Sequence, residues 1–99
     1  MPLDWAAVKK RYSGGAEVPN LAGGGSLTVE GADDQHVHIK HRLWKTSLRR
    51  ANFEKAVDLV EEGRLPRNAE MFVENYRAIV DGERGTSVAQ ILKDLGHLD

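Results

Sequence analysis

The stretch "HVHIKHRLWKTSLRR", residues 36–50, decides the fold of this chain, because it spans the change from strand-like to helix-like patterning. It holds five lysines and arginines, three histidines and no acidic residue, whereas the whole chain has a net charge of −1. Val37 and Ile39 alternate with polar residues, which predicts an extended strand with one face on a core. The other face of that strand is then basic.

We expect the strand to continue through about Trp44, because Thr46, Ser47 and Asn52 suit turns and caps better than a helix interior. Alternate residues then form the outward face: His36, His38, Lys40, Arg42, Trp44 and Thr46. The opposite face comprises Val37, Ile39, His41 and Leu43. An alternative stays open, in which the strand stops near His41 and a longer helix follows, since Leu43, Trp44, Leu48 and Ala51 lie near a helical spacing.

Upstream of this stretch, the sequence indicates one short helix and a small meander. Asp4 is suited to cap a helix over "WAAVKKRY", which Gly14-Gly15 ends. The segment "EVPNL" is expected to be a short edge strand, because Pro19 has no N–H to donate to a ladder. Two further strands within residues 27–43 are joined by an acidic turn, Gly31 to Gln35.

Downstream, apolar stripes predict three helices. Asn52 is the expected N-cap of "FEKAVDLVEEG", and Asn68 that of "AEMFVENYRAIVDG". Ser87 and Gln90 have the spacing of a capping box for the last helix, "TSVAQILKDLG". Glycines end two of these helices: Gly63 and Gly96. The predicted fold is therefore α+β, with an N-terminal helix, an antiparallel β-meander of two to three strands and three C-terminal helices.

The composition limits the classes of protein that fit. With 99 residues, of which 40% are hydrophobic, residues 1–99 are expected to form a single small domain. Fourteen basic against fifteen acidic residues exclude a domain-wide cationic field, so any polyanion binding depends on local segregation of charge. The lack of cysteine, of a signal peptide and of a long apolar run favours a cytoplasmic protein with no membrane segment.

No catalytic signature emerges from the sequence, and the expected protein is not an enzyme. The serines lie in turn or cap contexts, and the acidic residues of the helices resemble ordinary solvated faces. His36 and His38, near Asp33 and Asp34, have ligand types that suit zinc, but the sequence supplies no third or fourth ligand on that face. Neither a metal ion nor another cofactor is expected.

The basic stretch instead favours a surface that binds a partner. A cationic ladder ending in an indole suits phosphate contacts with stacking, and this predicts a non-enzymatic nucleic-acid-binding or accessory module. The residues assigned to that surface are His36, His38, Lys40, Arg42, Trp44, Lys45, Arg49 and Arg50. The alternative is a protein–protein adaptor or regulatory subunit with Trp44 as its interface anchor. A merely solvated strand face is a third interpretation, and the separation of basic strands from acidic helices is compatible with a homodimer.

Overall fold

The computed structural model describes residues 3–99, which form four helices and four strands. In chain order these are α1 (Trp5–Arg11), β1 (Ala16–Pro19), β2 (Ser26–Ala32), β3 (His36–His41), β4 (Trp44–Arg49), α2 (Arg50–Glu61), α3 (Ala69–Ile79) and α4 (Gly85–Asp94). The predicted α+β class is confirmed. The strand count of four exceeds the expected two to three, and the helices are placed differently along the chain from the prediction.

The strands form one antiparallel meander in the order β1-β2-β3-β4. β1 is an edge strand, as Pro19 predicted. The acidic turn between β2 and β3 is closed by Asp33, whose carboxylate accepts hydrogen bonds from the backbone N–H groups of Gln35 and His36, both at 2.8 Å. This aspartate therefore sets the register in which β3 begins.

The predicted continuation of β3 to Trp44 is wrong, because β3 ends at His41. Arg42 and Leu43 form a two-residue turn, and β4 returns with Trp44 directly opposite His41. The alternative correctly ends the strand near His41, but the longer helix that it places next is wrong, since the next element is a strand. Pairing with β3 provides hydrogen-bonded partners for the backbone of β4, which outweighs the weak helical spacing of its apolar residues.

Helix α2 follows β4 without a loop, and the expectation that Asn52 is its N-cap is wrong. Arg49 occupies the N-cap position and makes no side-chain capping bond. The Arg50 N–H instead donates to the Gln35 carbonyl at 2.8 Å, which ties the helix start to the β2–β3 turn. The Asn52 side chain donates to Asp81 at 3.1 Å.

The remaining helix ends agree with the sequence in part. Asp4 caps α1 by accepting from the N–H groups of Ala6 and Ala7, and Asn68 caps α3 by accepting from that of Met71, so both predictions are confirmed. Gly63 and Gly96 have the positive φ expected after a helix.

The capping box predicted for the last helix is wrong. Ser87 and Gln90 do not cap α4, because this helix begins earlier, at Gly85. Both residues are more than nine-tenths buried. Gln90 donates to the Pro19 carbonyl at 3.2 Å, so it joins α4 to the edge strand β1 instead of closing a helix end.

One face of the sheet lies on a single core cluster. Val29, Val37 and Ile39 are fully buried on that face, and Phe53 and Phe72 join them from the helices. Within residues 3–99, none of the helices combines the length and the apolar character needed to cross a membrane. The opposite face of the sheet remains polar and exposed, and it carries most of the residues that the sequence assigned to a binding surface.

Candidate functional site

The outward face of the β3–β4 hairpin concentrates basic side chains. We call this set the basic face; its members are His36, His38, Lys40, Lys45 and Arg49. The register places His36 opposite Arg49 and Lys40 opposite Lys45, and paired residues of neighbouring strands point to the same side. The alternation of buried Val37 and Ile39 with their exposed or half-exposed neighbours shows which side is outward.

Two of the cross-strand pairs bring cationic or titratable groups into direct opposition. Like charges directly opposite each other on one face of a sheet destabilise it. The Lys45 ammonium group is 3.7 Å from the Glu30 carboxylate on β2, which offsets part of this repulsion. Lys40 and Arg49 have no carboxylate partner within the part of the chain that the structure describes. The basic face therefore keeps cationic groups available to a ligand.

A chain of hydrogen bonds fixes the central histidine of the basic face. His38 Nε2 lies 2.7 Å from Asp33 Oδ2, and His38 Nδ1 lies 2.7 Å from Ser47 Oγ. The backbone N–H of Gln35, the His38 ring and the N–H of His36 together lower the pKa of the Asp33 carboxyl to about 2. Asp33 is thus ionised at neutral pH, and it holds the imidazole in one orientation.

These three residues have the connectivity of a serine, histidine and aspartate triad, but their surroundings differ. In hydrolases with such a triad the aspartate is buried. Here 55% of the Asp33 side chain and 41% of that of His38 are exposed on an open sheet. Both nitrogens of His38 are also occupied by protein groups, which leaves no free ring lone pair for a metal ion in this arrangement. The network orders the histidine on the surface.

Acidic residues collect on the other half of the same sheet face. The Glu17 carboxylate on β1 accepts from the hydroxyl groups of Ser26 and Thr28, the latter at 2.9 Å. Glu30 marks the boundary on β2. The outward surface is therefore divided, with cationic groups along β3 and β4 and carboxylates along β1 and β2.

The structure does not keep Trp44 on the basic face, so the predicted grouping of Trp44 and Thr46 with Lys40 is wrong. The turn at residues 42–43 reverses the chain, and Thr46 then lies opposite the buried Ile39. Trp44 is partly buried against the core. Its ring is stacked with His41, with ring centroids 5.2 Å apart, and the Arg84 guanidinium lies 4.2 Å from its centroid.

Arg42 and Arg50, which the sequence also assigned to the surface, have separate environments. Arg42 is exposed in the β3–β4 turn and lines a shallow groove with Lys40 at the end of the basic face. Arg50 is directed away from that face, since its guanidinium lies 3.3 Å from the Glu54 carboxylate and 5.3 Å from the Trp5 ring centroid. Arg50 thus anchors α2 to α1, while Arg42 extends the cationic surface.

Two members of this site do not follow from the sequence pattern. Ser47 is expected in a turn, whereas β4 brings it opposite His38. Asp33 is expected as part of an acidic turn near His36 and His38, whereas it is the hydrogen-bond acceptor that orients His38. An aspartate two residues before a backbone N–H that it can accept from is a recognisable turn signal, and that signal identifies Asp33.

Comparison of the chain with family models, with curated proteins and with solved structures finds no significant match.

Proposed function

We propose that this chain is a non-enzymatic module that binds nucleic acid through the basic face of the β3–β4 hairpin. The observation that carries the proposal is the direct opposition of Lys40 and Lys45 on the solvent side of the sheet. Two ammonium groups in this relation weaken the sheet on their own, and a polyanion laid across them converts the repulsion into two phosphate contacts.

The remaining residues of the basic face support the same mode of binding. Arg49 lies at the far end of the hairpin from the turn, and Arg42 lies at the turn itself. Cationic groups therefore follow the full length of the two strands. Six hairpin pairs at about 3.4 Å per residue extend over roughly 17 Å, the span of several successive phosphates of a nucleic-acid strand.

Trp44 does not strengthen the alternative of a protein adaptor. An interface anchor needs an aromatic ring that a partner can enclose. The Trp44 ring is already in contact with His41 and Arg84 and is partly buried against the core. Its role in this structure is to join the end of the hairpin to the N-terminus of α4.

The test is a titration of labelled DNA duplex, single-stranded DNA and single-stranded RNA with the wild-type chain and with the double variant Lys40→Ala/Lys45→Ala. We expect the wild type to bind at low salt and to lose affinity steeply as salt rises. The double variant should bind more weakly, and its affinity should depend less on salt. The negative slope of log K against log salt should become shallower by up to about 2, or roughly 0.9 for each phosphate contact removed.

A charge-matched control separates the basic face from net charge. Lys10 on α1 and Lys55 on α2 are both exposed, so Lys10→Ala/Lys55→Ala removes two cations without touching the hairpin. This control should leave binding unchanged, and a thermal melt should show that Lys40→Ala/Lys45→Ala is at least as stable as the wild type. If none of the three nucleic acids is shifted at low salt, or if the control variant weakens binding as much as the hairpin variant, the proposal is wrong.

A further inference from the structure

A second cationic feature lies on the core side of the hairpin, away from the basic face. A cavity of about 300 Å³ opens between the end of the β3–β4 hairpin and the N-terminus of α4. We call it the arginine pocket; the lining residues that matter here are Trp44, Arg77, Arg84, Gly85, Thr86 and Ser87. Its volume is at the lower end of the range of about 300–1,000 Å³ that small-ligand sites occupy.

The charges around the arginine pocket are of one sign. Arg77 comes from α3 and Arg84 from the α3–α4 turn, and neither forms an ion pair with a carboxylate within residues 3–99. No acidic residue is among the described residues that line the pocket. Asp81 and Glu83 instead line the neighbouring cavity, which Arg84 also borders. Arg84 is held by its stacking on Trp44, which presents its guanidinium at the pocket wall.

The first turn of α4 forms the floor of the pocket. The first bond within this ten-residue helix joins the Val88 N–H to the Arg84 carbonyl, and no side chain caps the helix. The N–H groups of Gly85, Thr86 and Ser87 consequently lack intrahelical acceptors. Gly85 packs closely on α3, because a Cβ at this position would lie only 3.2 Å from the Tyr76 ring. The close approach of α3 and α4 is what brings Arg77 beside the helix end.

Ser87 gives an independent indication that the pocket takes a ligand. Only 8% of this residue is exposed, and its hydroxyl makes no hydrogen bond to any other residue from 3 to 99. In this part of the chain, every side-chain N or O atom that is sealed from solvent has a hydrogen-bond partner. Because the Ser87 Oγ has no partner, it remains in contact with solvent. The Ser87 hydroxyl therefore opens into the pocket that it lines, as a donor without a protein acceptor.

We infer that the arginine pocket binds a phosphate group, held by the guanidinium groups of Arg77 and Arg84, the Ser87 hydroxyl and the N-terminus of α4. Two guanidinium groups and a set of helix N–H groups match the charge and the acceptor oxygens of a phosphate. A free mononucleotide and the 5′ end of a nucleic-acid strand both carry such a group. The inference does not rest on the proposed function, because the pocket and the basic face lie on opposite sides of the sheet.

The experiment is an NMR titration of the isotopically labelled chain with inorganic phosphate, against sodium chloride at matched ionic strength. Saturable shifts of the Gly85, Thr86 and Ser87 amides that chloride does not reproduce are expected. Arg77→Gln and Arg84→Gln should each weaken phosphate binding about tenfold or more, and Ser87→Ala several-fold. The lack of a saturable shift at these amides would overturn the inference.

Further arms of the titration identify the source of the phosphate and measure the effect of net charge. Adenosine monophosphate against adenosine tests a free nucleotide, and an oligonucleotide with and without a 5′-phosphate tests a strand end. Arg64→Gln is the matched control, because Arg64 is an exposed arginine that lies near Glu62, outside the pocket. If Arg64→Gln weakens binding as much as Arg84→Gln, the effect is one of net charge and the pocket is not the site.

Two further variants guard against a failure to fold and against confusion with the basic face. Arg84 has a φ of 59°, a left-handed conformation that glycine adopts without strain. Arg84→Gly therefore removes the guanidinium without requiring a strained backbone, and it replaces Arg84→Gln if the latter fails to fold. The double variant Lys40→Ala/Lys45→Ala should keep the phosphate shifts, so the failure of one site is distinguishable from the failure of the other.

Discussion

Removal of one hydroxyl group, by Tyr12→Phe, should measurably destabilise the fold. Tyr12 is fully buried, and its hydroxyl donates to the Asp94 carboxylate at 2.7 Å. A hydrogen bond to a charged group contributes about 1.5–3 kcal/mol. Asp94 keeps a second contact, 3.1 Å from the Arg11 guanidinium. We therefore expect a loss in the lower part of that range, about 1.5–2 kcal/mol.

Urea denaturation of the four proteins of a double-mutant cycle measures this loss. The cycle combines Tyr12→Phe with Asp94→Ala, and the two changes should be coupled by about 1 kcal/mol or more, since each of them removes the same contact. The melting temperature of Tyr12→Phe should fall by roughly 6–16 °C, given about 4–8 °C for each kcal/mol in a domain of this size. A coupling below about 0.5 kcal/mol would refute the assignment of the effect to this hydrogen bond.

The same contact predicts a dependence on alkaline pH. Burial, with the hydrogen bond to Asp94, raises the pKa of the Tyr12 phenol well above its ordinary value of 10. Because the pKa is higher in the folded state than in the unfolded state, the stabilisation is complete below about pH 10 and is lost as the pH rises beyond it. The difference in stability between the wild type and Tyr12→Phe should therefore narrow above about pH 10. A difference that stays constant from about pH 8 to 11 would contradict this account.

Three further results are expected. Gly85→Ala should lower the free energy of unfolding in urea by about 1 kcal/mol, because its Cβ would press on the Tyr76 ring at 3.2 Å; a higher urea midpoint would contradict this. In a carboxyl NMR titration, Asp33 should titrate near pH 2, and His38→Ala should raise that pKa while the turn amides keep it below 3.8. Because the pKa of Asp33 is lower in the folded than in the unfolded state, its ionised form stabilises the fold above pH 3.8, and this stabilisation is lost as the pH falls toward 2. An unchanged Asp33 pKa in His38→Ala would count against the hydrogen bond. Trp44→Ala should cost about 1.5–3 kcal/mol in a thermal melt, less than a fully buried tryptophan, and a stability equal to that of the wild type would show that the ring does not support the fold.

The parts of the fold that local physics determines could be predicted from the sequence. Asp4 and Asn68 are short polar side chains before apolar periodic segments, and both accept the backbone N–H bonds that their positions imply. Val37 and Ile39 alternate with polar residues, and the strand that contains them has the predicted buried face. In each case the residue and its structural consequence are separated by only a few positions.

The fourth strand could not be predicted, because its turn lacks the usual signal. Two-residue hairpin turns favour glycine, asparagine or aspartate, which tolerate a positive φ. Arg42 and Leu43 belong to none of these types, and neither has a positive φ in the structure. Without that signal the pattern predicts one continuous basic strand, although the hairpin actually places Lys45 beside Lys40 and Arg49 beside His36.

The arginine pocket could not be predicted from the sequence for a different reason. Trp44 and Arg84 lie 40 positions apart in the sequence, and neither lies in a motif that indicates the other. Their contact depends on the way α3 and α4 pack beneath the sheet, a tertiary arrangement that the periodicity of either helix does not encode. The contact between Trp44 and Arg84 becomes evident only from the positions of β4 and the α3–α4 turn in the folded chain.

The direct passage of β4 into α2 has a consequence for strand exchange between copies of the chain. An edge strand with unpaired backbone groups is a template on which another chain can add a strand. For β4 to be exchanged between two copies it would have to leave β3, and because Arg50 follows it without a loop, it would pull the first turn of α2 out of the core. Phe53 would lose its burial in that process. The direct junction between β4 and α2 therefore disfavours strand exchange at this edge of the sheet, which also carries the basic face.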